Sequence, residues 1–281
     1  MTIQNDARLY AQLQWLSRSP DLVLTSELAY PQNLFTHQPH LESGLAVRAR
    51  RLGLQFEELL RIYLSSITQV TDLHNNIPIR YQGITLGEAD LLFRYFKQWW
   101  HLEVALKFYL RQTDIDGLQG YYGPNRRDRF DIKWSHMQQH QTKVMNSSAA
   151  DTVRAHMGID RLNVGALIKG WLFQHPNDSR TSPPSPINPL HETGWWVRQS
   201  ELSHWLSQFP STAQYLVVEK PFWLHPLRFI QLPNLNVEQL KRRISERSDA
   251  VQIWVVLGIG VSRQLLSRGY VVADNWESKQ W

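Results

Sequence analysis

The first quarter of the chain has apolar residues spaced as in amphipathic helices. In residues 6–19 an apolar stripe runs through Leu9, Leu13 and Leu16, and Ser19 followed by Pro20 ends the pattern. Residues 45–68 carry the strongest helical pattern, with an apolar stripe made of Leu52, Phe56, Leu59, Leu60, Tyr63 and Leu64. We therefore predict two helices that each bury one face.

Apolar and alternating runs predict strands further along the chain. Residues 79–96 and 100–110 predict a β-hairpin, because the link from Arg94 to Trp99 is short enough to reverse the chain direction. Further strands are predicted over residues 164–173, 195–198, 214–219, 251–257 and 270–273. Helices are predicted over residues 129–144, with a second short helix to residue 156, and over residues 200–209 and 237–247. This mixture predicts an α/β or α+β sheet protein.

Proline and serine residues mark the one long connection in the second half of the chain. They cluster in residues 176–189, which we interpret as a loop. We expect residues 1–176 to form a core with the N-terminal helices, residues 177–189 a loop or insertion, and residues 190–281 a C-terminal α/β part packed on the same core. The glycines of residues 257–261 lack the third glycine and the lysine of a phosphate-binding loop, so a turn is predicted there.

Composition narrows the classes of function. The chain has no cysteine, which excludes disulfides and thiolate zinc sites and fits a cytoplasmic protein. Its first residues do not have the pattern of a signal peptide, and no apolar run reaches the roughly 18 residues that span a membrane. We therefore expect no membrane partner. The formal net charge is +5, which permits a nucleic-acid partner.

Charged residues interrupt the two strands of the predicted hairpin. Glu88 and Asp90 share one face of the first strand, and Glu103 and Lys107 share one face of the second. The short link sets Asp90 opposite residues 103–105, and cross-strand neighbours lie about 4.5–5.5 Å apart at Cβ. Asp90 and Glu103 are then close enough to hold one divalent metal ion. The simpler interpretation is a pair of ordinary ion pairs, Glu103 with Lys107 and Asp90 with Arg94.

These charged residues carry a resemblance to known proteins. The segments Gly87-Glu88-Ala89-Asp90 and Glu103 to Lys107 resemble the PD-(D/E)XK nuclease superfamily. The chain looks still more like a bacterial family, domain-of-unknown-function family 1853, which has been grouped with those nucleases. That closer likeness extends through residues 13–16, 83–110, 123–129, 194–198, 221–224 and 268–272. It implies an α/β fold with a restriction-endonuclease-like mixed sheet flanked by helices, and a C-terminal α/β extension.

The resemblance assigns the acidic residues one by one. Its pattern is an acid on the first helix, an Asp on one strand, and Glu-x-Lys on the partner strand. Glu57 matches the helix acid, with Glu58 as the alternative, Asp90 matches the strand Asp, and Glu103 matches the second acid. Glu88 is then a supporting or alternative acid.

The lysine is the point of departure from that pattern. The expected position holds Ala105, and Lys107 lies two residues further along the same face, roughly 6.6 Å away. In one alignment Lys107 is a displaced catalytic lysine and both strand acids are kept. In the other alignment Lys107 is fixed, Ala105 occupies the acid position, and Glu88 compensates. We favour the first because it preserves both metal-binding acids.

The implied chemistry is hydrolysis of a phosphodiester in DNA or RNA. Carboxylate ligands select a hard cation, Mg²⁺ or Mn²⁺, and Glu57, Asp90 and Glu103 would be its ligands. Lys107 would orient water and stabilise the developing negative charge. The alternatives are a nuclease-like module that binds nucleic acid or protein without cleavage, and an interaction protein that docks through its aromatic C-terminal half.

A basic loop and the helix after it are candidates for contacts with nucleic acid. Arg126, Arg127 and Arg129 follow Gly-Pro-Asn and open the predicted helix, a combination that suits phosphate. Lys133 and Gln139 lie further along that helix and could contact the nucleic-acid backbone. The competing interpretation is a solvated charged turn.

Overall fold

The described part of the chain, residues 2–40, 44–180 and 182–278 of a computed structural model, contains six α-helices and nine strands. The helices are α1 (Thr2–Arg18), α2 (Leu52–Ser65), α3 (Phe130–Gln139), α4 (Asp151–Met157), α5 (Leu202–Leu206) and α6 (Val237–Ser245). The strands are β1 (Val70–Tyr81), β2 (Ile84–Tyr95), β3 (Gln98–Arg111), β4 (Tyr121–Tyr122), β5 (Leu162–Gln174), β6 (Glu192–Arg198), β7 (Gln214–Val217), β8 (Val251–Leu257) and β9 (Gln264–Val272).

All nine strands belong to one mixed sheet. Its order is β1-β2-β3-β5-β6-β9-β8-β7, with β4 paired to β3 outside this path. β6 runs parallel to both β5 and β9, whereas β1–β2, β2–β3, β7–β8 and β8–β9 are antiparallel pairs. The prediction of a mixed α/β sheet protein is confirmed.

The chain divides into two compact units that each combine two segments. Unit 1 is Met1–Leu106 with Ile132–Lys169, and unit 2 is Lys107–Asp131 with Gly170–Trp281. The predicted division at residues 177–189 assumed that each part is one continuous segment, whereas each unit combines two segments. The described residues between β5 and β6 include no helix or named strand, in keeping with the predicted loop.

Helix α2 begins later than its hydrophobic pattern predicted. The helix starts at Leu52 rather than at residue 45, although Phe56, Leu59, Leu60, Tyr63 and Leu64 are buried as predicted. The backbone N–H groups of Arg48 and Ala49 donate to Glu58 Oε2 at 2.9 and 3.0 Å. Because the Glu58 carboxylate accepts these two amide hydrogen bonds, the segment before α2 does not need helical backbone hydrogen bonds.

A strand that the sequence did not predict precedes the hairpin. Asn75, Asn76 and Pro78 are residue types typical of a break, yet they lie within β1, where Pro78 pairs with Glu88. Proline lacks a backbone N–H and is tolerated on an edge strand, and β1 is the edge of this sheet. The predicted two-stranded hairpin is therefore a three-stranded meander.

The predicted helix over residues 129–144 is divided. α3 ends at Gln139, and a 3₁₀ segment covers Gln141–Asn146 before the short α4. The Thr142 hydroxyl donates to the Met137 carbonyl at 2.9 Å. This bond satisfies a carbonyl in the last turn of α3, and the backbone then continues as the narrower 3₁₀ helix.

Unit 2 has its own core beneath β6, β8 and β9. The fully or nearly fully buried residues of this core include Val197, Leu202, Leu240, Ile253 and Val271, which join the sheet to α5 and α6. β9 is longer than the predicted strand over residues 270–273. The predicted turn over residues 257–261 is confirmed: Gly258 and Gly260 have positive φ of 79° and 56° in the β8–β9 connection.

Candidate functional site

The pairing of β2 with β3 ends where their two acids face each other. The register runs from Tyr95 with Gln98 to Leu91 with Leu102, so Asp90 and Glu103 are the next opposed residues. The Val104 N–H donates to Asp90 Oδ2 at 2.9 Å, and the Asp90 N–H lies 3.4 Å from Glu103 Oε1. Carboxylates thus accept backbone hydrogen bonds at the point where strand pairing stops.

The Glu103 carboxylate lies in the interior of unit 1. Its side chain is 0% exposed, and so is that of His101, whose Nε2 lies 2.7 Å from Glu103 Oε1. Gln141 Nε2 donates to the other oxygen, Oε2, at 2.8 Å. Both carboxylate oxygens therefore have polar partners, as a buried charge requires.

The surroundings of Asp90 disfavour its negative charge. Burial is the largest cause, and with the charge of Glu103 it raises the pKa of Asp90 from 3.8 to about 8, although the hydrogen bond from Val104 acts in the opposite direction. Without a cation the two opposed acids therefore retain a proton at neutral pH.

Glu57 belongs to the same acidic environment. Burial raises the pKa of Glu57, a hydrogen bond from Asn76 opposes this, and the charges of Glu88 and Glu103 raise the pKa further. Glu58, the alternative helix acid, instead holds the segment before α2 through Arg48 and Ala49. Glu88 is exposed on β2.

A chain of hydrogen bonds connects Glu103 to a lysine on α3. Lys133 Nζ donates to Gln141 Oε1 at 2.7 Å, and the amide of the same Gln141 donates to Glu103. His136 Nδ1 lies 3.3 Å from the same Gln141 oxygen. Sequence reasoning missed His101 and Gln141. The spacing of His101 two residues before Glu103 was a usable signal, because it places both on one face of β3; Gln141 had none.

Lys107, the predicted catalytic lysine, falls in unit 2. Its ammonium donates to Asp128 Oδ2, and the Tyr109 hydroxyl donates to the same oxygen at 3.1 Å. Burial, together with the charge of Asp128, raises the pKa of Tyr109. Lys107 is thus engaged in a polar cluster of its own unit. Arg94, the predicted partner of Asp90, lies instead 3.6 Å from Asp72 through its Nε.

The three predicted phosphate-binding arginines have different environments. Arg126 is only 8% exposed, and its guanidinium lies 3.8 Å from the centroid of the Tyr122 ring and 5.1 Å from that of Trp276. It also donates to Gln112 Oε1 at 2.9 Å, so this arginine holds the loop in place. Such a location favours a structural role over contact with a ligand.

The other two arginines, Arg127 and Arg129, lie at the surface, as does Gln139. Arg129 makes a two-pronged ion pair with Asp131, at 2.7 and 3.0 Å. The Arg127 side chain is exposed, as is Gln139 at the end of α3. Arg127 and Arg129 lie in unit 2, whereas Lys133 and Gln139 lie in unit 1.

A divalent cation at Asp90 would need oxygen ligands from neighbouring side chains. Among the described residues, no group of three or more His, Asp or Glu side chains is arranged to hold a metal ion. Mg²⁺, however, is often held by only one or two carboxylates and keeps several waters. The opposed carboxylates of Asp90 and Glu103 meet that smaller requirement in number.

Comparison with known proteins identifies the family. The pattern of the family described as Domain of unknown function (DUF1853) matches residues 11–272, and the chain belongs to that family. The chain matches no curated protein and no solved structure. In the described part of the chain, no helix has the length and apolar character needed to cross a membrane.

Proposed function

We propose that this protein is a metal-dependent nuclease with a restriction-endonuclease-like core, which hydrolyses phosphodiesters of DNA or RNA. The observation that carries this proposal is the opposed pair Asp90 and Glu103 at the end of the β2–β3 pairing. Two carboxylates held together, with the pKa of Asp90 raised to about 8, form a site that favours a cation over solvent.

Asp90 and Glu103 would hold the ion, with Glu57 available to orient its water ligands. When bound, Mg²⁺ supplies positive charge to the phosphate oxygens and lowers the pKa of nearby water. His101 and Gln141 position Glu103, because each contacts one of its two carboxylate oxygens. Val104 fixes Asp90 in the same way from the backbone.

The hydrogen bonds of unit 1 make Lys133 a second candidate for the catalytic ammonium beside Lys107. Lys133 is linked to Glu103 through the single residue Gln141, whereas Lys107 is bonded to Asp128. An ammonium one hydrogen-bonded residue away from Glu103 would stabilise negative charge that develops on a phosphate bound there. We therefore place Lys133 in this role.

A second function is favoured by a specific observation. Both oxygens of Glu103 already have protein partners, and Ala105 stands where the nuclease pattern has its lysine. These features fit a nuclease-like module that binds nucleic acid without cleavage. The two functions differ in one outcome, the appearance of cut strands.

The test is a cleavage assay with the purified protein. Single- and double-stranded DNA and RNA are incubated with Mg²⁺, with Mn²⁺ or with a chelator. We expect cleavage that needs the cation and is lost in Asp90→Asn. Glu27→Gln, which removes an exposed carboxylate elsewhere in unit 1, is the matched control and should cleave normally. Absence of any cleavage that Asp90→Asn removes would favour the binding module.

The same assay separates the two lysines. Lys133→Ala should lower the rate by about a hundredfold, the usual loss for one preorganised charge. Lys143→Ala, which removes an exposed lysine from the next segment, is its control. If Lys107→Ala abolishes cleavage while Lys133→Ala cleaves normally, the displaced lysine of the first alignment is the catalytic one.

A further inference from the structure

A cavity of about 590 Å³ lies at the turn end of the β2–β3 hairpin, away from the opposed carboxylates. Its volume is within the range of about 300–1,000 Å³ typical of ligand sites. Three cations line it: Arg94 near the end of β2, Lys97 in the turn and Arg161 just before β5. Asp160 is the acid of the lining, so positive charge predominates.

One buried donor of a residue that lines this cavity has no hydrogen-bond partner. Trp99 is 6% exposed and its indole Nε1 has no hydrogen-bond partner, whereas Nε of Arg94 lies 3.6 Å from Asp72 Oδ2. The Arg94 guanidinium lies 4.7 Å from the centroid of the Trp99 ring, and Asn163 Nδ2 donates to the Trp99 carbonyl at 3.1 Å. An unused indole N–H beside a guanidinium is suited to an anion with several acceptor oxygens.

The turn beside the cavity has an unusual sequence. Phe96 and Lys97 have positive φ of 47° and 65°, a conformation that two-residue hairpins usually give to Asn and Gly. Phe96 is also 64% exposed, although it is a large apolar residue. Neither residue type suits the turn or the surface on stability grounds, which indicates that their side chains serve another purpose.

We propose that this cavity and Phe96 form a binding site for single-stranded nucleic acid, in which Arg94, Lys97 and Arg161 hold a backbone phosphate and the Phe96 ring stacks on a base. Aromatic rings beside cations are the usual means of holding unpaired strands without reading their sequence. An exposed ring stacks only on a base that is not already stacked within a duplex, which sets the preference for single strands.

This site is separate from the carboxylate pair and does not depend on cleavage. Arg94 lies four residues after Asp90 on β2, roughly 13 Å along the strand, and the side chains of Leu92 and His101 between them are fully buried. The tests below are therefore made with a chelator present. A protein that binds in this way but never cleaves would disprove the nuclease proposal and leave this inference intact.

Fluorescence anisotropy with labelled oligothymidylate, oligouridylate and a duplex of equal length measures the binding. We expect the wild type to bind the single strands more tightly than the duplex. Phe96→Ala should weaken single-strand binding by about tenfold or more, the usual effect of losing one stacking platform. Lys97→Gln and Arg161→Gln should each weaken it and reduce its dependence on salt by about 0.7 in logarithmic slope. Arg80→Gln, an exposed cation at the other end of β1 and β2, is the control.

A double variant distinguishes a binding role from a structural one. Phe96→Asn with Lys97→Gly gives the turn its preferred residues, so the melting temperature should rise while single-strand affinity falls. Wild-type affinity in this variant would overturn the proposal. A wild type that binds no single strand would also overturn the proposal. The same holds if the charge variants lose affinity for an acidic peptide as strongly as for the oligonucleotides while Phe96→Ala leaves oligonucleotide affinity unchanged.

Discussion

Replacing Asp90 with asparagine should stabilise the protein when no divalent cation is present. Asparagine has nearly the same shape, and its side-chain oxygen still accepts the hydrogen bond from Val104. The substitution removes a charge that burial and Glu103 disfavour. The residue proposed as essential for activity is thus one that weakens the fold, a known compromise at functional sites.

The size of this effect follows from the pKa of Asp90. A displacement from 3.8 to about 8 sets an upper limit of about 6 kcal/mol. Asp90 is partly exposed, so solvent screens its charge, and we expect a measured gain of about 1–3 kcal/mol. Because the folded-state pKa is raised, the neutral acid is favoured on folding. Wild-type stability should therefore fall as pH rises from about 4 to about 8.

Urea unfolding at several pH values measures this difference. The free energy of unfolding of Asp90→Asn should exceed that of the wild type by an amount that is near zero at acid pH and largest above pH 8. Glu27→Gln, an exposed control, should stay within about 0.5 kcal/mol of the wild type at every pH. A variant less stable than the wild type at alkaline pH would show that the Asp90 charge is compensated within the protein, and the reasoning would be refuted.

Two further substitutions examine unit 2. Gly170→Ala should destabilise the protein by more than about 3 kcal/mol, because Gly170 has a φ of 136° and a Cβ there would overlap the Lys107 carbonyl. Urea unfolding measures this loss, and a mild effect would mean that β3 and β5 can separate at this point. Arg126→Ala should cost about 2–3 kcal/mol in the same measurement by removing the contacts with Tyr122, Trp276 and Gln112, while the exposed Arg127→Ala should be nearly neutral. Equal effects of the two would contradict a structural role for Arg126.

Local patterns were sufficient to predict the main elements. The apolar stripe of α2 and the alternation in β2 and β3 report directly which face is buried, and a short link fixes the register of a hairpin. The opposition of Asp90 and Glu103 depends only on that register, so it could be read from the residues.

Features that depend on distant neighbours were not predictable in this way. β1 carries asparagines and a proline that are typical of a break, and its pairing with β2 outweighs them at the sheet edge. Gln141 contacts Glu103 across 38 positions of the chain, and Lys107 meets Asp128 across 21. No local pattern encodes such contacts, so the partners of the candidate site emerged from the fold alone.

The central claim, a divalent cation held by Asp90 and Glu103, is tested most directly by calorimetric titration with Mn²⁺ in two buffers of different ionisation enthalpy. Since the pKa of Asp90 is raised to about 8, binding near pH 7 must displace a proton from this acid pair. We predict one saturable site with proton release that diminishes above pH 8, and loss of that site in Asp90→Asn. No binding by the wild type, or equal heats from wild type and Asp90→Asn, would contradict the account.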